Sequence, residues 1–340
     1  MRFGSIPSFL RYGIAFIAGS ALTAGALWFI RDLSEPEIFP LRQSDVNPDH
    51  QYRFIDPLLG LRQVNEDTSP DFAALRVKLE DYLKQEQKNG HASAVSVKVR
   101  DLQTSTGFTI NPDEKYAPAS LLKVPTMMAY FKLAESDRSL LVQKITYKGE
   151  EDTTRMPMFP PSERLEKGES YSVLELIERM VRLSDNDSLL LLNEHLVSLG
   201  RPQAVQSLGR DLGIEDVYVS DDFITIQGYA MFWRVLYNAT YLSRDMSENA
   251  LQILSSTDYA GGIKSGVPKG IAVAQKFGEY GLLEKGSQDI LKAEMHDCGI
   301  VYLPAHPYLL CVMTKGKDVQ ELDGIIREIS KMAYEDRLQL

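Results

Sequence analysis

Ala117-Pro118-Ala119-Ser120-Leu121-Leu122-Lys123-Val124-Pro125-Thr126-Met127-Met128-Ala129-Tyr130-Phe131 is the stretch that decides the fold. A serine three residues before a lysine puts Oγ and Nζ on one face of a helical turn, where the amine can take the hydroxyl proton. An ammonium cannot act as a base, so Lys123 has to be held neutral by desolvation or by a second cation nearby. Leu121, Leu122, Val124, Met127, Met128, Tyr130 and Phe131 surround the segment with apolar groups, and Lys123 is its only charge before Lys132. Such a helix belongs in a core. A solvent-facing Ser/Lys pair would sit on an amphipathic helix, whereas a lysine interrupting an apolar run needs a partner or a purpose.

Outward from that helix, Ser69 and Pro70 read as N-cap and first helical residue of an opening helix with Phe72, Leu75, Leu79, Tyr82 and Leu83 on one face. Val95, Val97 and Val99 alternate with polar residues, as do Phe108 and Ile110 after a turn at 103–105, which predicts a hairpin. A long helical block follows to about Thr257. Strands return at 271–275, 299–303 and 308–314, and the chain closes with a helix whose Leu322, Ile325, Ile326, Ile329 and Met332 share a stripe. The pattern predicts an α/β (α+β) architecture, one antiparallel sheet flanked by the terminal helices, with an all-helical lobe beside it.

Two further segments carry chemistry. Ser172 and Glu175 form a capping box for a helix 173–183 that ends at Ser184-Asp185-Asn186, a loop able to present a hydroxyl and an amide to a neighbouring nucleophile. Lys276-Phe277-Gly278 ends the 271–275 strand, with a cation at a strand edge and a glycine where a ligand can approach the backbone. Lys264-Ser265-Gly266 fits a Lys-Ser/Thr-Gly pattern better by letters, but it lies between a helix and a turn and not on a strand.

In order, these elements resemble the penicillin-recognising serine hydrolases, closest to class A β-lactamases, whose signature is Ser-x-x-Lys, Ser-Asp-Asn, Lys-Thr-Gly. The resemblance covers residues 70 to 340 and extends to Ala117-Pro118-Ala119, to Thr225-Ile226-Gln227 opening a helix, and to 262–270 leading into the Lys276 strand. It implies a β-lactamase-like fold in which Ser120 attacks an amide or lactam carbonyl, Lys123 is its base and Ser184 passes a proton to the leaving nitrogen. Asn186 then orients the acyl side chain, and Lys276 binds the substrate carboxylate beside Gly278 and helps keep Lys123 neutral. The N–H groups of Ser120 and Glu279 form the oxyanion hole. It implies no cofactor and no metal.

The sequence departs from that pattern twice. Phe277 stands where the family has a hydroxyl, and the Glu-x-x-Leu-Asn segment that activates the deacylating water is missing. Glu215, Asp216, Asp221 and Asp222 are the nearby carboxylates, so a slowly hydrolysing acyl-enzyme is expected unless one of them has taken over. The leading expectation is a β-lactamase-like serine hydrolase acting on β-lactam or related amide substrates. A D-Ala-D-Ala carboxypeptidase of penicillin-binding type and a non-catalytic cell-envelope binding module with the same fold are the alternatives.

Composition bounds the rest. With 340 residues, 44% hydrophobic, the chain can bury one large core or two modest ones. A net charge of −10 with no basic block argues against nucleic acid as a partner. Tyr12–Ile30 carries no charge over 19 residues and follows Arg2 and Arg11. This predicts a membrane anchor (1–32), a linker (33–68) in which Pro57-Leu58-Leu59 docks, and an extracytoplasmic domain (69–340). Ala24-Gly25-Ala26 offers the alternative of a cleaved signal peptide. Cys298 and Cys311 fall on facing strands and can pair, though two buried free thiols are the preferred reading. The histidines 50, 91, 195, 296 and 306 show no metal-ligand spacing. Residues 144–170 read as a polar excursion at the rim of the cleft.

Overall fold

The computed structural model describes residues 52–56, 70–149, 159–214, 223–283 and 290–339. The expected anchor, Ser69 and Pro57-Leu58-Leu59 lie outside them, and so do Glu215, Asp216, Asp221 and Asp222. Among the described residues no helix is long and apolar enough to cross a membrane.

A five-stranded sheet organises the chain. Its strands are β1 (Ala94–Asp101), β2 (Gly107–Ile110), β5 (Val273–Leu283), β6 (Ile290–Val301) and β7 (Tyr308–Gly316). They are arranged β2-β1-β7-β6-β5, and every neighbouring pair is antiparallel. Side chains alternate across a strand, and both faces of this sheet are covered. Leu309, Cys311 and Met313 of β7 enter the core shared with the helical lobe, while Tyr308, Leu310 and Val312 enter the core shared with the terminal helices. The near-continuous apolar run of β7 follows from that double burial.

The terminal helices are α1 (Ala73–Asn89) and α9 (Val319–Arg337). A single 3-10 turn, Pro70–Phe72, precedes α1. Leu75, Leu79 and Leu83 of α1 are buried as expected, and in α9 Leu322, Ile325, Ile326 and Ile329 are buried, with Met332 packed half-buried against the same core. Arg337 fastens the two ends of the domain: it is buried, donates to Asp71 O at 3.2 Å and lies 3.8 Å over the Phe72 ring. The lobe on the other face contains α2 (Lys123–Ala134), α3 (Val173–Arg182), α4 (Asn186–Ser198), α5 (Ala204–Asp211), α6 (Ile226–Tyr237) and α7 (Arg244–Ser255), followed by the single turn α8 (Gly262–Ser265). Ten residues of the twelve-residue α2 are buried, Lys123 among them, as an all-round apolar helix requires.

Two expectations, the extent of the strands about Lys276 and the state of the cysteines, are corrected, and two segments gain detail. The strand carrying Lys276 does not end there but runs on to Leu283, and its partner begins at Ile290, well before 299. Residues 144–170 include a small antiparallel pair, β3 (Lys144–Thr146) with β4 (Ser170–Ser172). The linker docks through 52–56, where Glu248 accepts from the backbone N–H groups of Arg53 and Phe54 at 2.9 Å each. Cys298 and Cys311 are not free thiols: they face each other in register on β6 and β7 and form a disulfide.

One polar contact ties the sheet to the Ala117–Ser120 turn. Glu294 of β6 accepts from Ala117 N at 2.7 Å, and His296 Nε2 donates to Ala117 O at 3.0 Å. Thr314 N donates to His296 Nδ1 at 3.3 Å, so the ring presents Nδ1 as acceptor and Nε2 as donor. Burial acts to raise the Glu294 carboxyl. The hydrogen bonds from His296, Lys292 and Ala117 outweigh it and hold the group at about 2, below its ordinary 4.5.

Two predictions follow from these contacts. Because Glu294 is depressed, the stability it contributes is full above pH 4.5 and is lost as pH falls toward about 2. Glu294→Gln is therefore expected to lower the melting temperature at pH 7, with the gap to wild type closing in that acid window; a gap independent of pH would count against the clamp. For the disulfide, iodoacetamide without reductant is expected to modify neither cysteine, and reduction to lower the unfolding free energy by about 2–3 kcal/mol. Alkylation of unreduced protein at Cys298 or Cys311 would contradict the pairing.

Candidate active site

Ser120 is half-buried on a 3-10 turn, Ala119–Leu122, and Lys123 opens α2 directly behind it. At three residues per turn the side chains at i and i+3 eclipse, so the turn stacks Ser120 above Lys123. Ala119 holds a left-handed φ of 46°, which a residue with a Cβ adopts at a cost of about 1 kcal/mol or more. The turn is braced from three sides. The Glu294–His296 clamp grips Ala117, Tyr229 Oη donates to Leu121 O at 3.1 Å, and β5 lies against it at Gly278. A Cβ added at Gly278 would stand 3.0 Å from Leu121 Cγ and 3.2 Å from Leu121 N. That glycine admits the turn to the edge of the sheet.

Ser184-Asp185-Asn186 divides its work. Leu183 ends α3, Ser184 reverses the chain with a left-handed φ of 55°, and Asp185 caps α4, accepting from the N–H groups of Asp187 and Ser188 at 3.3 Å each. Asp185 is thus consumed by the helix end. Ser184 and Asn186 turn toward Lys123, whose Nζ stands 2.5 Å from Ser184 O, 2.7 Å from Asn186 Oδ1 and 3.2 Å from Ser184 Oγ. Lys276 Nζ reaches the same hydroxyl at 3.0 Å and its neighbour Phe277 O at 2.8 Å. Both lysines are buried, at 0% and 1% exposure, with Ser184 Oγ between them.

Two ammonium groups roughly 5 Å apart repel by about 3 kcal/mol at an effective dielectric constant of about 20. A charge-assisted hydrogen bond returns only about 1.5–3 kcal/mol. The doubly charged state is therefore disfavoured, and burial, then the Lys123 charge, hold Lys276 well below the ordinary lysine range against the opposing pull of Asp297 and Glu279. A neutral Lys123 has two N–H groups, enough for the two carbonyl oxygens beside it, and keeps a lone pair for a hydroxyl.

Of the residues expected from the sequence, Lys123, Ser184, Asn186 and Lys276 form one cluster, with Ser120 a turn before Lys123 and Gly278 packed on the same turn. Glu279 follows on β5, the edge strand of the sheet, and its Oε1 accepts from Phe159 N at 3.2 Å. Lys264 instead donates to Thr257 O from the α8 turn, which supports setting it aside. Glu294, His296 and Tyr229 escaped the sequence reading. The only local signal is that Glu294 and His296, two apart on a strand, share a face.

The profile of the Beta-lactamase2 family, described as the Beta-lactamase enzyme family, matches residues 75–336. No curated protein matches. Among solved structures, PBP-A superposes with a TM-score of 0.66 at 18% identity, covering 82% of this chain and 100% of its own. A PBP-A mutant has been solved as an acyl-enzyme complex with penicillin G and superposes equally well. The β-lactamase of Sphaerobacter thermophilus DSM 20745 gives a TM-score of 0.64 at 20% identity over 80% of this chain and 99% of its own. A class A β-lactamase from Mycobacterium abscessus gives 0.61 at 21% over 76% and 98%. At such identities the likeness is one of fold, and it agrees with the profile spanning most of the chain: this protein belongs to the β-lactamase enzyme family.

Proposed function

We propose that the protein is a serine acyl-enzyme hydrolase acting on β-lactams or related amides, with slow deacylation. The single hydroxyl held between two buried amines, one of them the lysine a turn after Ser120, carries the reading. Ser120 Oγ attacks the carbonyl carbon as its proton passes to the Lys123 lone pair. The oxyanion is received by the N–H groups of Ser120 and Glu279, each worth about 3 kcal/mol in the transition state. The C–N bond then breaks, and the leaving nitrogen takes the Ser184 proton, which the neighbouring amine replaces through the short contacts at that oxygen. Asn186 orients the acyl group, and the Lys276 amine supports Ser184.

The missing Glu-x-x-Leu-Asn segment favours a second reading, a carboxypeptidase of penicillin-binding type acting on cell-wall D-Ala peptides. Either substrate would be met outside the cytoplasm. The uncharged Tyr12–Ile30 stretch supports a membrane anchor, and the Cys298–Cys311 disulfide supports an oxidising compartment.

Fluorescent penicillin at high concentration is expected to label the wild type covalently and to leave Ser120→Ala unlabelled; an adduct that persists in Ser120→Ala, or none in wild type, would overturn the acyl-enzyme reading. With a chromogenic cephalosporin, the expected trace is a burst of about one equivalent per enzyme followed by a slow steady state, the signature of an accumulating acyl-enzyme. Rapid turnover without a burst would mean that deacylation is not slow.

A further inference from the structure

Lys276 is covered by an aromatic ring where the resemblance places a substrate carboxylate. Its Nζ lies 4.1 Å from the centroid of the Phe277 ring, and its hydrogen bonds go to Ser184 Oγ and Phe277 O. The ring is held firmly. It stacks on Tyr259 with centroids 4.1 Å apart at 29° and meets Phe159 edge-on at 5.8 Å, while Phe159 meets Tyr259 at 5.3 Å. Tyr259 Oη is anchored to Asp323. Phe277 is 4% exposed and Lys276 1%, so neither swings aside freely.

The electrostatics of this cover oppose an anion. The face of a benzene ring carries the negative lobe of its quadrupole, which attracts the ammonium and repels a carboxylate. Moving the ring would break a three-ring stack and a cation–π contact. A hydroxyl at position 277 would instead have offered a donor. Resting on the acyl-enzyme reading above, we propose that the leaving-group side of this site selects acyl donors without a carboxylate beside the scissile bond, and that Phe277 is the residue that sets this preference. The substrate class is then an uncharged amide, lactam or ester whose leaving group packs on apolar surface, with Lys276 serving Ser184 and not the substrate.

Benzylpenicillin and its methyl ester form a matched pair for the test, each rate normalised to ring opening in buffer. Ser120 acylation is followed by intact mass. In wild type the ester is expected to acylate about tenfold faster than the acid, the factor that one charge-assisted hydrogen bond left unmade corresponds to. Phe277→Thr is expected to collapse or invert that ratio by accelerating the acid. The proposal is overturned if wild type takes the acid as fast as the ester, or if a folded Phe277→Thr leaves the ratio unchanged; should that variant not fold, the wild-type ratio still decides. An adduct with the acid alone sinks this inference and leaves the acyl-enzyme reading standing. An adduct with neither compound sinks both.

Discussion

Two buried lysine amines meet on one serine hydroxyl, and the surrounding structure is arranged to make that meeting tolerable. Neither amine would stay there unaided, because a buried ammonium without partners is costly and a second one close by makes it worse. Lys123 is carried in by α2, whose apolar surround removes water from it. Lys276 comes from the edge strand of a sheet buried on both faces, and Ser184 from the joint between α3 and α4. The three groups are far apart in the chain, so no one of them can be placed correctly unless both cores have formed.

Two of the six non-glycine residues with a left-handed φ among the described residues lie at the same place. Ala119 and Ser184, both with a Cβ, take left-handed φ values of 46° and 55°, one immediately before the nucleophile candidate and the other at the shared hydroxyl itself. Each local strain has a nearby brace. The Ala119 turn is pulled to the sheet by Glu294 and His296 through both polar atoms of Ala117. The Ser184 reversal is followed by the Asp185 cap on α4, and α3 before it opens with the Ser172–Glu175 capping box. Relaxing Ser184 toward the right-handed region would rotate its hydroxyl off the two lysines, and relaxing Ala119 would redirect the turn that carries Ser120, so the strain is a geometric condition of the arrangement.

The parts legible in the sequence were those written in short-range periodicity. The Ser120–Lys123 spacing, the β1–β2 hairpin and the Ser172 cap depend on residues within a few positions of one another, and each is found where expected. Contacts across long stretches were not legible. Ala117 and Glu294 are 177 residues apart, and nothing local marks a glutamate and a histidine on a strand as the grip on a distant turn. The cysteine pairing turned on register, which alternation alone does not fix. The strands β5 and β6 extend past the apolar rhythm because buried polar residues interrupt it, Lys276 on β5 and Glu294, His296 and Asp297 on β6, and because Tyr280, Leu282 and Leu291 further out are exposed. Ser184-Asp185-Asn186 was read as a single presenting loop, although an aspartate before Asn-Asp-Ser is also an N-cap signal and divides the tripeptide into a chemical pair and a structural cap.

The charge on the lysine pair depends finally on what lies behind it. Asp297, opposite Phe277 on β6, is buried, accepts from Ile263 N at 2.9 Å, and has its carboxyl pushed up, first by burial and then by Asp323. A carboxyl so disposed gives Lys276 less countercharge than an exposed aspartate would. If it ionised fully, its pull on Lys276 would strengthen and the cation would settle there, leaving Lys123 as the free base. With it raised, burial and the Lys123 charge prevail over Asp297 and Glu279 and hold the Lys276 amine well below the ordinary lysine range. Asp297 therefore acts on the pair by its weakness: the less it ionises, the less it opposes the burial and the Lys123 repulsion that lower Lys276.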